Sequence, residues 1–143
     1  FIEHMPFDDN HWSREKMLSF SETVAAIEAQ IGLRLTPSKT RSETAKLFEV
    51  EGFRGRIGFI TSMTTHFCAS CNRLRLTADG NIKNCLFGEE EFSLRDVMRR
   101  GASDEELESL IRHAVSKKHA FHGGKDSPEA IAASHNRPMI RIG

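Results

Sequence analysis

Cys68, Cys71 and Cys85 are the only cysteines of the chain, and all three lie in the stretch HFCASCNRLRLTADGNIKNCLF, His66 to Phe87. The spacing is C-x2-C-x13-C. Two residues between thiolates let both sulfurs face one metal centre from a tight loop, and a third must then arrive from a second element. Three thiolates suit either of two centres. A structural zinc ion asks for a fourth ligand, and His66 is a candidate that its short distance in sequence from Cys68 makes cramped. An iron-sulfur cluster held by three thiolates keeps one iron open to a further ligand. The bland alternative is three buried, inert thiols. Arg73 and Arg75 sit at alternate positions just beyond the cysteine pair, and guanidinium forks suit phosphate or carboxylate, so an anion held beside the metal is the chemistry they suggest.

The element that must position these residues is a hairpin. Leu74–Thr77 and Ile82–Leu86 are strand-like runs joined by Ala78-Asp79-Gly80-Asn81, which brings Cys85 back towards Cys71. Its register decides the site. A two-residue turn at Asp79-Gly80 pairs Leu74 with Cys85 and turns both arginines to the opposite face. A three-residue loop, Ala78-Asp79-Gly80 with Gly80 left-handed, pairs Arg73 with Cys85 and lines one face with Arg73, Arg75, Thr77 and Cys85. The second register is favoured because it gives the arginines a chemical purpose.

Scaffold surrounds the hairpin. Phe1–Met5 reads as a strand and Pro6–His11 as a loop, with Trp12 packing over the next helix. Ser19 and Glu22 form a capping box for a helix that runs to Gly32. Leu33–Ser42 reads as a connector carrying Lys39 and Arg41, Thr44–Phe48 fits a short strand or a turn of helix equally, and Arg56–Thr61 is a strand entering the cysteine loop. Ser93 caps a short helix ended by Gly101. Ser103 and Glu106 cap a longer one, with Leu107, Leu110, Ile111, Ala114 and Val115 as its buried stripe. His119 and His122 fall in a flexible polar segment before Gly123-Gly124 and read as solvated. Ser127-Pro128 starts a last short helix, Asn136-Arg137-Pro138 breaks it, and Met139–Ile142 reads as extended, with Arg141 a minor candidate for an anion contact.

The 143 residues carry 20 basic and 20 acidic side chains. A balanced charge argues against general nucleic-acid binding, and no apolar run is long enough to span a membrane. An odd, clustered set of cysteines favours a reducing compartment.

The run FITSMTTHFCASCNRLRLTADGNIKNCLFG resembles the C-terminal cluster region of the GTP 3′,8-cyclases of molybdenum cofactor biosynthesis, MoaA-type radical S-adenosylmethionine enzymes. FIEHMPF at the start is similar to a late strand of that family's incomplete barrel, and NRPMIRIG at the end to its tail. The resemblance implies an α+β chain, the C-terminal fragment of an incomplete (β/α) TIM-like barrel enzyme, with residues 1–7 closing the barrel and 8–143 forming the cluster- and GTP-binding region. It implies that Cys68, Cys71 and Cys85 ligate a second 4Fe-4S cluster, that Arg73 and Arg75 contact GTP, and that Gly143 ends a tail reaching the active site. S-adenosylmethionine and a first 4Fe-4S cluster belong to a CxxxCxxC motif that these residues lack. The radical SAM part is therefore expected upstream, and the chain alone is expected to be inactive as a lyase. The implied partners are GTP, that N-terminal barrel, a second copy in a homodimer and a downstream cyclic pyranopterin monophosphate synthase. The implied compartment is bacterial cytoplasm or mitochondrial matrix. The reading from another class is a structural zinc-binding module built on Cys68, Cys71 and Cys85.

Overall fold

The computed structural model describes residues 1–40 and 44–142, which form an α+β chain in two compact units. The first comprises Phe1–Met5 and Trp12–Phe67, the second Pro6–His11 and Cys68–Gly143.

In the first unit, α1 (Phe20–Ile31) starts where the sequence predicts. The Ser19 hydroxyl and the Glu22 carboxylate exchange bonds with each other's backbone N–H, and Gly32, at φ 67°, ends the helix left-handed. Strands β1 (Leu35–Pro37), β2 (Lys46–Val50) and β3 (Arg56–Phe59) form an antiparallel sheet in the order β1-β2-β3. Phe20, Val24 and Ile27 of α1 pack on Leu35, Val50 and Phe59. Phe59 meets Phe20 and Phe48 edge-on at 5.3 and 5.4 Å, the geometry that aromatic quadrupoles favour. The stretch read as a connector thus contains a strand. Leu35 is buried opposite Val50, and Pro37 is tolerated because β1 is a sheet edge. Lys39 is exposed; Arg41 lies outside the described residues. Of the predicted first strand, only Ile2 makes a bridge, parallel to Ile60. Trp12 is half-buried and donates to the His4 carbonyl at 2.8 Å.

Glu3 organises this unit. Its buried carboxylate accepts the backbone N–H groups of Phe20 (2.9 Å), Met63 (2.6 Å) and Thr64 (2.9 Å), together with the Thr64 hydroxyl. One side chain therefore fixes the start of α1 and the segment that follows β3.

The second unit holds a sheet of β4 (Arg75–Leu76), β5 (Asn81–Lys83) and β6 (Glu91–Ser93), antiparallel and in that order. Three helices follow, α2 (Leu94–Arg99), α3 (Asp104–Ser116) and α4 (Pro128–Ala133), each begun by a serine side chain that accepts a backbone N–H. Two expectations fail here. Ala114 is the buried residue of α3, while Ile111 and Val115 of the predicted stripe are exposed. Met139–Arg141 is a tight 3-10 turn and not an extended segment, with Arg141 N–H bonded to the Pro138 carbonyl at 2.8 Å. Coiling sends Ile142 into the interior, 1% exposed, at the expense of Ile140. None of the helices of the described residues is long and apolar enough to cross a membrane.

Replacing Glu3 by Ala removes the carboxylate acceptor of three backbone donors, of which only the Phe20 N–H has a second acceptor in the Thr64 hydroxyl at 3.4 Å, and should lower the unfolding free energy by about 3 kcal/mol, measured by denaturant titration. A change below about 0.5 kcal/mol would remove Glu3 from this role.

Candidate metal and nucleotide site

The hairpin adopts the register set by the three-residue loop. Arg75 pairs with Lys83 and Leu76 with Ile82, and Thr77 N–H bonds the Asn81 carbonyl at 2.9 Å. Gly80, at φ 81°, closes the loop by donating to the Thr77 carbonyl, and the Thr77 hydroxyl reaches Asp79 at 2.6 Å. A Cβ on Gly80 would lie 2.6 Å from the Cβ of Arg95, so glycine is required for space as well as for its dihedral.

Burial follows that register. Cys71, Arg73 and Arg75 are half-buried and Thr77 is buried, whereas Asn72, Leu74, Leu76 and Ala78 are exposed. The usual polarity is inverted here, with Leu76 left 63% exposed while the neighbouring arginine is covered. Burial pulls the pKa of Arg75 down, an effect opposed by the nearby Cys85 and Cys71 and reinforced by Arg73. Burial likewise pushes the Cys68 thiol up. A hydrogen bond from the His122 backbone offsets part of that rise, and the proximity of Cys85 and Cys71 adds to it. The three cysteines and Arg75 therefore share one electrostatic neighbourhood.

The ladder stops earlier than the sequence suggests. β5 ends at Lys83 and the chain turns over residues 84–87, so Arg73 and Cys85 do not form a ladder pair. Lysine closes the gap instead. Lys118 Nζ donates to the carbonyls of both Arg73 (3.2 Å) and Asn84 (2.6 Å), joining the two arms where strand pairing has ended. The rest of the Cys85 turn is held by the same kind of contact. Asn136 donates to the Leu86 carbonyl at 3.0 Å, Lys125 to that of Phe87 at 3.3 Å, and Lys83 to that of Gly88. Burial lowers the pKa of Lys83, with Glu91 at 4.0 Å acting against the drop.

His122 corrects the expectation of a solvated loop histidine. It is 5% exposed, its ring meets Phe87 edge-on at 5.5 Å, and a ring nitrogen lies within 4.8 Å of the Cys68 sulfur. The segment it belongs to is packed against the Cys85 turn. A Cβ on Gly123 would come within 2.8 Å of the Gly88 backbone. His119 is exposed, as expected.

Arg137, read only as part of a helix break, ties the C-terminal segment to the hairpin tip. Its guanidinium bonds Glu91 through Nε at 2.6 Å and Nη2 at 2.5 Å, and Asp79 through Nη2 at 2.8 Å. Arg141 is exposed on the following turn, and Gly143 lies outside the described residues. Sequence reasoning missed Lys118, Lys83, Arg137 and His122 because each acts through a partner distant in sequence. Only the Gly-Gly after His122 hinted that backbone comes close there.

The donor set fits a soft metal centre, since thiolates select zinc and iron-sulfur clusters and imidazole suits zinc or iron. The family described as Molybdenum Cofactor Synthesis C matches residues 1–123. The chain belongs to that family. It is 53% identical over 144 residues to molybdenum cofactor biosynthesis protein 1 of Mus musculus, covering 100% of this chain and 22% of the mouse protein. It is 49% identical over 143 residues to the mitochondrial GTP 3′,8-cyclase of Arabidopsis thaliana, covering 100% of this chain and 36% of that protein. To the GTP 3′,8-cyclase of Thermodesulfovibrio yellowstonii it is 42% identical over 145 residues, again across 100% of this chain and 42% of the relative. The chain thus spans less than half the length of these relatives.

Asp79 gives a test of the hairpin tip. Hydrogen bonds from Arg137 and Thr77 hold its pKa at about 2, below the ordinary carboxylate range. A depressed folded-state pKa contributes stability above the unfolded value, lost as pH falls through the folded one, so the Asp79 contribution should fade between about pH 4 and pH 2. Carboxyl NMR titration should place its midpoint there, and Arg137→Met should raise it, with the Thr77 bond holding back a full return. An unchanged midpoint in the variant would contradict the contact.

Proposed function

We propose that this chain is the cluster- and nucleotide-binding part of a GTP 3′,8-cyclase of molybdenum cofactor biosynthesis. The observation that carries the reading is the shared face. Cys71, Arg73, Arg75 and Thr77 alternate inward along one arm of the hairpin, and Cys85 arrives beside them on the other. Cys68, Cys71 and Cys85 hold a 4Fe-4S cluster. When bound, that cluster supplies an iron with an open coordination position. Arg73 and Arg75 bind and orient the anionic part of GTP by charge-assisted hydrogen bonds, and burial of Arg75 strengthens its hold by excluding water. Lys118 keeps Arg73 and the Cys85 turn at a fixed separation. Arg141 and Gly143 remain minor candidates for nucleotide contacts.

Residues 1–7 complete a barrel supplied by the longer polypeptide, and 8–143 form the binding region. The identity to cyclases more than twice as long supports a longer polypeptide around this chain. Generation of the radical from S-adenosylmethionine, on the first 4Fe-4S cluster, and the lyase reaction that joins C3′ to C8 of GTP belong to that whole enzyme, and the 143 residues alone turn over no GTP. A homodimer, and a downstream cyclic pyranopterin monophosphate synthase that takes the product, complete the partners. The compartment is bacterial cytoplasm or mitochondrial matrix; that the Arabidopsis relative is a mitochondrial protein supports the organelle. A zinc module is the competing reading, favoured by one observation: the nearness of His122 to Cys68 offers the fourth ligand that three cysteines lack.

Anaerobic reconstitution separates the two. The chain should take up iron and sulfide as one 4Fe-4S cluster whose absorption spectrum changes with GTP. Replacing Cys68, Cys71 or Cys85 by Ala should abolish uptake, and Arg75→Met should keep the cluster while weakening GTP binding by about 10- to 100-fold. A colourless, zinc-loaded protein indifferent to GTP would overturn the proposal.

A further inference from the structure

Three ammonium groups bond the carbonyls of the Cys85 turn, and they differ in what balances their charge. Lys83 lies 4.0 Å from Glu91, and Lys125 pairs with Glu89 at 3.1 Å. Lys118 directs its bonds to two neutral carbonyls, those of Arg73 and Asn84, and makes no ion pair with a carboxylate among the described residues. Its place is fixed from behind. The Lys118 backbone N–H bonds the Val115 carbonyl at 3.0 Å where α3 ends, and the residue is half-buried. The Asn84 carbonyl belongs to the peptide unit that leads into Cys85. At the other end of the motif burial raises the Cys68 thiol, and the charge of Lys118 acts on that thiol in the opposite direction. One positive charge without a carboxylate partner therefore serves both ends of the cysteine motif.

We infer that Lys118 is the counter-charge of the centre held by Cys68, Cys71 and Cys85, offsetting its net negative charge and so leaving Arg75 to the anionic nucleotide. The inference rests on the iron-sulfur reading of the three cysteines. A 4Fe-4S core held by three thiolates is anionic, and a cation beside it in a half-buried site is screened far less than one in open water. Without that cation, the nearest alternative is the guanidinium of Arg75, which already feels Cys85 and Cys71. A phosphate would then compete with the thiolates for Arg75. Lys118 avoids the conflict because carbonyl oxygens accept its protons and hold it in place, while its charge acts at longer range. The lysine that ties the two arms of the hairpin thus also sets the electrostatics of what they hold.

The test is a redox titration of the anaerobically reconstituted chain, with dithionite donating one electron per cluster and the reduced form read by electron paramagnetic resonance. The added electron makes the centre more negative, so a nearby cation favours the reduced form. Lys118→Met and Lys118→Gln should each cut the reduced-to-oxidised ratio at a fixed potential by about 10-fold, which is about 59 mV for one electron. Lys118→Arg keeps the charge and should match the parent. Lys117→Met removes an exposed cation from the same helix end and should also match it. GTP should bind about 10-fold more weakly to the two neutral variants. Gln retains a hydrogen-bond donor without the charge, so its agreement with Met separates charge from scaffold. Equal ratios in the parent, Met and Gln forms overturn the inference and leave the iron-sulfur reading standing. A Gln variant that matches the parent while Met departs from it assigns Lys118 to the hairpin tie alone and also overturns it. Cluster uptake by Lys118→Arg but by neither neutral variant supports the inference, whereas no uptake by any of the three assigns Lys118 to folding and overturns it. A parent chain that takes up no iron-sulfur cluster removes the inference together with the reading beneath it.

Discussion

The site depends on one ammonium group. Strand pairing in the hairpin ends at Lys83, yet the residues with chemistry, Arg73 and Cys85, lie beyond that point on the two arms. Without a further tie they would be two loop ends. Lys118 Nζ, donating to the carbonyls of Arg73 and Asn84, replaces the missing rungs of the ladder. A lysine suits the task because its three donors point in different directions from a single charge, so one group can serve carbonyls on separate segments. It sits just past the end of α3, which explains what a helix with so little of its apolar face buried contributes. Asn84 Nδ2 bonds the Ala114 carbonyl of that helix at 3.0 Å, and Lys118 returns the contact from its end. The helix is a post for the cysteine turn.

A second consequence follows from the inverted face of β4. Arginines inward and leucines outward is the reverse of what the hydrophobic effect gives a lone hairpin, and it survives because Gly80 and the Thr77–Asp79 bond fix the loop length. A one-residue slip would bury Leu74 and Leu76 and turn the cationic pair away from the thiols. Register here is set by turn chemistry against the burial preference of the side chains. The Arg137 bonds to Asp79 and Glu91 reinforce the same tip from the C-terminal segment.

Much of this was legible in the sequence. Capping boxes at Ser19 and Ser103 located two helices because side chain and backbone satisfy each other within one turn, with no help from tertiary structure. The hairpin loop was legible for the same reason: Gly80 and its neighbours determine their own geometry. What escaped depends on distant partners. β1 is three residues long and exists because Leu35 finds Val50. The C-terminal residues coil because Ile142 has a core to enter, and His122 is buried because Gly123 can meet Gly88. Composition and local pattern carry none of those pairings, so the cysteine motif was readable while the shell of lysines, amides and imidazole that holds it was not.

In the proposed function, three cysteines and the arginine face beside them form one iron-sulfur site with an iron set apart for a further ligand. Mössbauer spectroscopy of the chain reconstituted with 57Fe addresses it most directly, because it distinguishes iron sites by their ligands. A 4Fe-4S spectrum in which one iron differs from the other three, and in which GTP changes that iron alone, is the expected result. Four equivalent irons, or a spectrum of mononuclear iron, would contradict it.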